Sequence, residues 1–230
     1  MKSTIDTIEV AKFAQHANAW WDENGPLKTL HDINPIRVKY IQENVPDMKQ
    51  RILDIGCGGG ILSEALARCG GIVTGLDVEP DSIATAQAHA LEQQLPIQYV
   101  CNPIESFDSE LFSIITCLEM LEHVQDPGLI IKHAARLLAP GGYLFLSTIN
   151  RTFTAYASVV VAAEYVLRIL PRQTHDFQKF IKPSELAHMI RAAGLEVMDM
   201  CGIAYNPFSR DASLVNSVNT NYLVVSRAPE

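Results

Sequence analysis

The sequence predicts an α/β fold: a mostly parallel, seven-stranded sheet with helices on both faces. Three observations predict it. From residue 51 onward, short runs of β-branched and aliphatic residues alternate with helix-like segments. A glycine-rich turn follows the first run, at 56–60. A hydrophobic fraction of 48% beside a charged fraction of 19% suits a chain that buries a sizeable core. At 230 residues the chain reads as one domain, 1–230, with a helical cap at 1–45 and an insertion at 148–182.

Each element follows from its pattern. Residues 1–45 look helical and carry the adjacent Trp20 and Trp21. The runs 51–55, 72–76, 97–100, 113–116 and 143–147 read as strands buried on both faces, because apolar side chains fill consecutive positions. Helices at 60–68, 81–92 and 127–138 lie between them, and 196–203 and 222–226 supply the last two strands. Pro140, Gly141 and Gly142 form the turn before the fifth strand. Ligands of such sheets bind beyond the carboxyl ends of the strands, near the switch in strand order. The turns at 56–60, 77–80, 101–105 and 117–123, with the insertion, are therefore expected to surround the site.

Composition narrows the function. A net charge of -8 argues against a nucleic-acid partner, since phosphate binding needs clustered Lys and Arg. Five scattered cysteines without a C-x-x-C pair suit reduced thiols in the cytosol, not a disulfide framework or a zinc site. The first ten residues carry Asp6 and Glu9 and lack the apolar core of a signal peptide. The expected location is cytoplasmic.

The strongest motif is ILDIGCGGG, Ile52 to Gly60. Gly56, Gly58 and Gly60 let the backbone turn sharply and approach a ligand. A dinucleotide loop would need a third glycine where Ile61 stands, so the G-x-G-x-x-G pattern fails. The preceding Asp54 and the G-x-G-x-G spacing instead resemble the S-adenosylmethionine loop of Rossmann-like class I methyltransferases. That cofactor carries an ammonium and a sulfonium but no phosphate, so a nearby carboxylate suits it. Asp77, at the end of the second strand, is placed to accept hydrogen bonds from ribose hydroxyls. Asn102, past the third strand, is a candidate adenine contact or a loop cap.

The fourth strand runs into TCLEMLEHV, where Glu119, Glu122 and His123 stand at i, i+3 and i+4. On a helical turn they would share a face and suit a divalent cation such as Mg²⁺ or acid–base catalysis. The plainer reading is that Glu122 and His123 brace the turn. His175 is a second candidate base.

Several longer stretches, among them LHDINPIR, CLEMLEHVQDP, AEYVLRILPRQTHD and GIAYNPFS, resemble the ubiquinone biosynthesis O-methyltransferase family over residues 10–226. The resemblance implies O-methylation of polyprenylated catechols, 2-polyprenyl-6-hydroxyphenol and 3-demethylubiquinol. It implies cofactor contacts at Arg37, Gly56, Asp77 and Leu118; Asp54, Gly58 and Asn102 join them from the residue pattern. Other enzymes of the same pathway are possible partners. A class I methyltransferase for a small soluble metabolite and a non-catalytic cofactor-binding regulator are the alternatives.

The insertion bears on the membrane. Between Arg151 and Lys182 stand five basic and two acidic residues around the apolar run AYASVVVAAEYVLRIL. An apolar helix flanked by basic residues is suited to lie on an anionic bilayer, so peripheral contact through 152–182, at the inner face of the cytoplasmic membrane, is expected. A lid over the substrate site or a dimer contact is the competing reading.

Overall fold

The computed structural model describes residues 4–156 and 176–230. Its strands are β1 (Arg51–Ile55), β2 (Ile72–Asp77), β3 (Gln98–Cys101), β4 (Phe112–Leu118), β5 (Leu138–Ile149), β6 (Glu196–Asn206), β7 (Asp211–Val215) and β8 (Asn221–Arg227). They form one sheet in the order β3-β2-β1-β4-β5-β8-β6-β7. The pairs from β3 through β5 are parallel, and the pairs from β5 to β7 are antiparallel. The chain runs outward from β1 to β3, then returns to the other side of β1 with β4. The crevice at that reversal opens beyond the carboxyl ends of β1 and β4.

Adjacent residues on each central strand serve opposite cores, as the pleat requires. Leu53, Ile115 and Leu144 pack with Ile130 and Ile190, from α5 (Pro127–Leu137) and α7 (Pro183–Ala192). Their neighbours Ile52, Ile114 and Phe145 pack on the other face with Ile41 and Leu66, from α2 (Lys28–Asn44) and α3 (Ile61–Arg68). Helix α4 (Pro80–Glu92) covers β3 through Ile83, Ala86 and Tyr99. Two short α-helices complete the described residues, α1 (Thr7–Ala14) and α6 (Phe153–Ala155).

The sheet has eight strands where seven were expected. The addition, β7, is an edge strand reading DASLV, with no buried residue and no continuous apolar run to announce it. It pairs back on β6 from Gly202↔Val215 to Asn206↔Asp211. Strand β5 also begins earlier than the pattern suggested, at Leu138. Its register on β4 shifts between Phe112 and Ile114, where Pro140, Gly141 and Gly142 bend the strand, and Gly141 takes φ +67°.

The N-terminal cap is pinned directly onto the glycine turn. Trp20 is buried and donates through Nε1 to Ser82 Oγ at 2.9 Å. A Cβ on Gly58 would lie 2.3 Å from the Trp20 ring, and one on Gly59 would lie 2.2 Å from it. The indole therefore occupies the space that side chains at both positions would need. Trp21 donates to the Gly59 carbonyl at 3.0 Å and stacks on His89 with ring centroids 3.5 Å apart. Trp20→Ala is expected to cost about 3–5 kcal/mol in urea unfolding. Gly59→Ala should cost about 1–3 kcal/mol in the natural chain and less, but not zero, beside Trp20→Ala. The added Cβ would meet Trp20 Cβ at 2.4 Å as well as the ring at 2.2 Å, and only the ring is removed.

Candidate functional site

A cavity of about 760 Å³ lies over the carboxyl ends of β1, β2 and β4, walled on its outer side by α1 and α2. One half is built by the glycine turn. The Gly56 and Cys57 N–H groups both donate to the Leu76 carbonyl, at 2.8 and 3.2 Å, folding the turn back onto β2. Gly56 takes φ +71°, and a Cβ there would lie 2.7 Å from Met120 Cγ. The turn is thus confined on both sides.

Asp77 faces the cavity with its carboxylate already oriented. Gly58 N–H donates to Oδ2 at 2.8 Å, while Val78 and Glu79 N–H donate to Oδ1 at 2.7 and 3.0 Å. Burial pushes its pKa up, and these three donors oppose the push. Asp54 is 2% exposed and takes hydrogen bonds from Ser63 Oγ at 2.6 Å and Thr116 Oγ1 at 2.7 Å. It ties α3 and β4 to β1 beneath the turn, and burial lifts its pKa to about 6. Asn102 N–H donates to the Asp77 carbonyl at 2.9 Å, and its Oδ1 accepts from Ser106 Oγ at 3.0 Å. That side chain caps its loop at the edge of the cavity. Leu118 ends β4 as a buried apolar wall of the same cavity.

Arg37 enters from α2. It is 4% exposed, and Nη2 lies 3.3 Å from Glu119 Oε1 in an ion pair. Its Nε and Nη2 have no hydrogen-bond partner although both are buried. Burial pulls its pKa down, and the charges of Glu119, Glu122 and Asp54 oppose this. A buried guanidinium with unused donors in the cavity wall fits a carboxylate-bearing ligand.

The acidic turn departs from the sequence expectation of one helical face. Glu119 takes φ +55°, and Leu121–His123 form a 3₁₀ turn, so the three side chains do not share one helical face. Glu119 faces the cavity, accepting from Ser147 Oγ at 2.6 Å and from Asn221 Nδ2 at 3.0 and 2.9 Å. Glu122 is buried, outside the residues that line the cavity, and accepts from Thr148 Oγ1 at 2.9 Å while its Oε1 has no partner. Burial, then the neighbouring Glu119, push its pKa up to about 8. His123 lines the cavity with Nδ1 2.9 Å from Glu9 Oε2 and its ring edge-on to Phe13. Among the described residues no group of three or more His, Cys, Asp and Glu side chains is placed to hold a metal ion. The three do not fit a shared cation site as a triad.

Sequence reasoning missed the contribution of α1. Thr4 donates twice to Glu105 Oε1 at 2.6 Å, and Lys179 Nζ lies 2.9 Å from Asp6 Oδ2 and 3.4 Å from Glu9 Oε1. Burial raises the Glu9 pKa, but His123 and Lys12 outweigh it and hold the carboxyl at about 2. Nothing in the local pattern joins residues 114 positions apart, as Glu9 and His123 are. Asn221 was missed for the same reason, since it sits at the start of an apolar strand. His175 and most of the insertion lie outside the described residues.

The comparisons with known proteins agree with this geometry. A methyltransferase domain family model matches residues 10–199. The chain is 49% identical over 228 residues to the ubiquinone biosynthesis O-methyltransferase of Pseudomonas aeruginosa strain PAO1, covering 98% of both chains. It is 48% identical to that of Pseudomonas entomophila strain L48, over 96% of this chain and 97% of that one. Against the Coxiella burnetii RSA 493 protein of the same name, the identity is 49% over 96% of each. Among solved structures it resembles a possible histamine N-methyltransferase of Thermotoga maritima (TM-score 0.69, 16% identity, 95% and 99% coverage). It also resembles the magnesium protoporphyrin IX methyltransferase of Synechocystis PCC 6803 with bound SAH (TM-score 0.67, 16% identity, 96% and 99% coverage). These two share the fold, whereas the curated relatives share the sequence from end to end. The chain belongs to the ubiquinone biosynthesis O-methyltransferase family.

Proposed function

We propose that this protein transfers a methyl group from S-adenosylmethionine to a ring hydroxyl of a polyprenylated catechol in ubiquinone biosynthesis. The observation that carries the reading is the composite cavity. Its lining combines charged side chains, Arg37 and Asp77 among them, with apolar and aromatic ones, Leu30, Ile33, Ile149, Ile203 and Tyr205. The charged groups suit an amino-acid nucleoside and the apolar ones an aromatic ring with a hydrocarbon tail.

When bound, S-adenosylmethionine supplies a methyl group already activated by its sulfonium. Arg37 would pair with its carboxylate, Asp77 would accept from the ribose hydroxyls, and Leu118 would pack against the adenosine. Asp54 acts from below, holding the turn rigid. The chemistry the cofactor would supply is transfer of that methyl to the acceptor's hydroxyl oxygen, the carbon–sulfur electron pair leaving on sulfur. Most of the chain's task is positioning and exclusion of water. We assign the hydroxyl proton to His123, which reaches the cavity and whose imidazolium the Glu9 carboxylate would stabilise. Glu119, already engaged by Ser147, Asn221 and Arg37, is the weaker base.

A second reading of the acidic turn rests on the unpartnered Glu122 Oε1 beside Glu119. Two carboxylates that repel each other are relieved either by a proton on Glu122 or by a divalent cation such as Mg²⁺ between them. The membrane reading rests on the basic surplus between Arg151 and Lys182 and on Phe153, 83% exposed just ahead of the undescribed segment. No helix among the described residues is long and apolar enough to cross a membrane; peripheral contact at the inner face of the cytoplasmic membrane would bring the chain to a prenylated acceptor.

The direct test is transfer of labelled methyl to a short-tailed prenyl catechol carried in anionic vesicles, with and without chelator. Product is expected, together with co-sedimentation of protein and vesicles at low salt; absence of product with cofactor still bound by calorimetry sinks the O-methyltransferase reading. Loss of activity on chelation, restored by Mg²⁺, selects the cation, and indifference to chelator selects the proton. Replacing Arg37 with Lys should weaken cofactor binding by roughly 10- to 100-fold, since a point charge cannot supply the guanidinium fork. Glu122 gives a signed pH effect in the metal-free protein. Its carboxyl keeps its proton in the folded state up to about pH 8, whereas unfolded chain releases it near 4.5. Stability from this group is therefore lost as pH rises through that window. Glu122→Gln should gain thermal stability over the natural chain progressively across the same range.

A further inference from the structure

We propose that Asn221 is the residue that selects a vicinal diol on the acceptor ring, through a hydrogen bond to the hydroxyl beside the one that is methylated. The proposal rests on the O-methyltransferase reading above and deepens it.

Asn221 Oδ1 is a buried acceptor atom with no partner, on a residue that lines the cavity. The amide cannot turn over to relieve this. Its Nδ2 donates to both oxygens of Glu119, at 3.0 and 2.9 Å, and a flipped amide would press its carbonyl oxygen against that carboxylate. Oδ1 is therefore held as an acceptor, and it lacks a donor.

The backbone holds the residue as firmly. Asn221 opens β8, an interior strand of the sheet, and pairs with Ile149 on one side and Ile203 on the other. Both isoleucines also line the cavity. A polar atom between two apolar walls, on a strand hydrogen-bonded along both edges, suits a flat ring carrying one hydroxyl at a defined place. A hydroxyl satisfies Oδ1, whereas a hydrogen or a methyl ether there leaves the buried acceptor unpaired. The same amide reaches Arg37 through Glu119, since Arg37 Nη2 lies 3.3 Å from Glu119 Oε1. One chain of contacts thus links the acceptor pocket to the proposed anchor of the methyl donor. The role assigned to Asn221 is specificity; it takes no proton.

The test compares two acceptors with the same short prenyl tail, a catechol and the phenol lacking the adjacent hydroxyl. The natural enzyme is expected to favour the catechol in kcat/KM by roughly 10- to 100-fold. Asn221→Leu and Asn221→Ala should bring the catechol down to the level of the phenol while the phenol changes less than about threefold. S-adenosylmethionine affinity, measured by calorimetry, reports whether each variant is folded. Equal loss on both acceptors in a variant that binds the cofactor normally would overturn the proposal. So would a natural enzyme that methylates both acceptors equally, an outcome that needs no variant to fold. A natural enzyme that methylates neither acceptor removes the underlying reading instead, so the two failures are distinguishable.

Discussion

Between the end of β1 and the start of α3 the backbone is confined on every side, and much of the architecture depends on that confinement. Met120 stands against Gly56, the Trp20 indole against Gly58 and Gly59, and the Tyr99 hydroxyl against Gly60, where an added Cβ would lie 2.3 Å away. These glycines serve internal packing as much as ligand approach. The cap at the N-terminus, the second strand and the acidic turn all meet at this one loop. Asp54 braces it from beneath through Ser63 and Thr116, and Asp77 receives its Gly58 N–H. The result is a surface, at the proposed cofactor site, whose polar groups are oriented before any ligand arrives, so little ordering remains to oppose binding.

A second line of contacts crosses the cavity floor. Arg37 on α2, Glu119 at the end of β4, Ser147 on β5 and Asn221 on β8 come from four separate elements, and Glu119 touches the other three. Glu119 adopts a left-handed backbone conformation to reach them, which is costly for a residue with a Cβ unless its surroundings hold it there. Its carboxylate gathers positive charge and donors from both halves of the site. The adjacent Glu122 lacks comparable partners, and burial then favours its protonated form. Two acids three residues apart thus sit in opposite electrostatic environments.

The helix α1 closes the cavity by charge more than by apolar packing. Ile8 on that helix is 72% exposed, while Glu9 is buried against His123, Lys12 and Lys179. The low pKa of Glu9 means that this contribution is present above the ordinary carboxylate range and lost as pH falls towards 2. Raised groups such as Glu122 and Asp54 act in the opposite sense, weakening the fold as pH rises. The two kinds of group oppose each other across the site, so its charge balance and the stability of the fold are linked.

The alternation of apolar runs and helical segments was enough to read the parallel half of the sheet, because strands buried on both faces must be apolar at consecutive positions. The loop from Ile52 to Gly60 and Asp77 were legible because a tight turn and a strand-end acid are local requirements. Strand β7 was not legible, since an edge strand with one partner needs no apolar run. The grouping of Glu119, Glu122 and His123 was inferred from helical spacing, and a left-handed residue followed by a 3₁₀ turn puts Glu119 and His123 at the cavity and Glu122 outside its lining. Asn221, Glu9 and the seat of Trp20 were invisible for one reason: each acquires its role from a partner far along the chain. The sequence by itself determined the α/β architecture, the glycine-rich loop and the family, all of which rest on short-range patterns and continuous similarity. Only the tertiary structure decided which polar groups face the cavity and which are already satisfied, because hydrogen bonds and burial depend on distance in space.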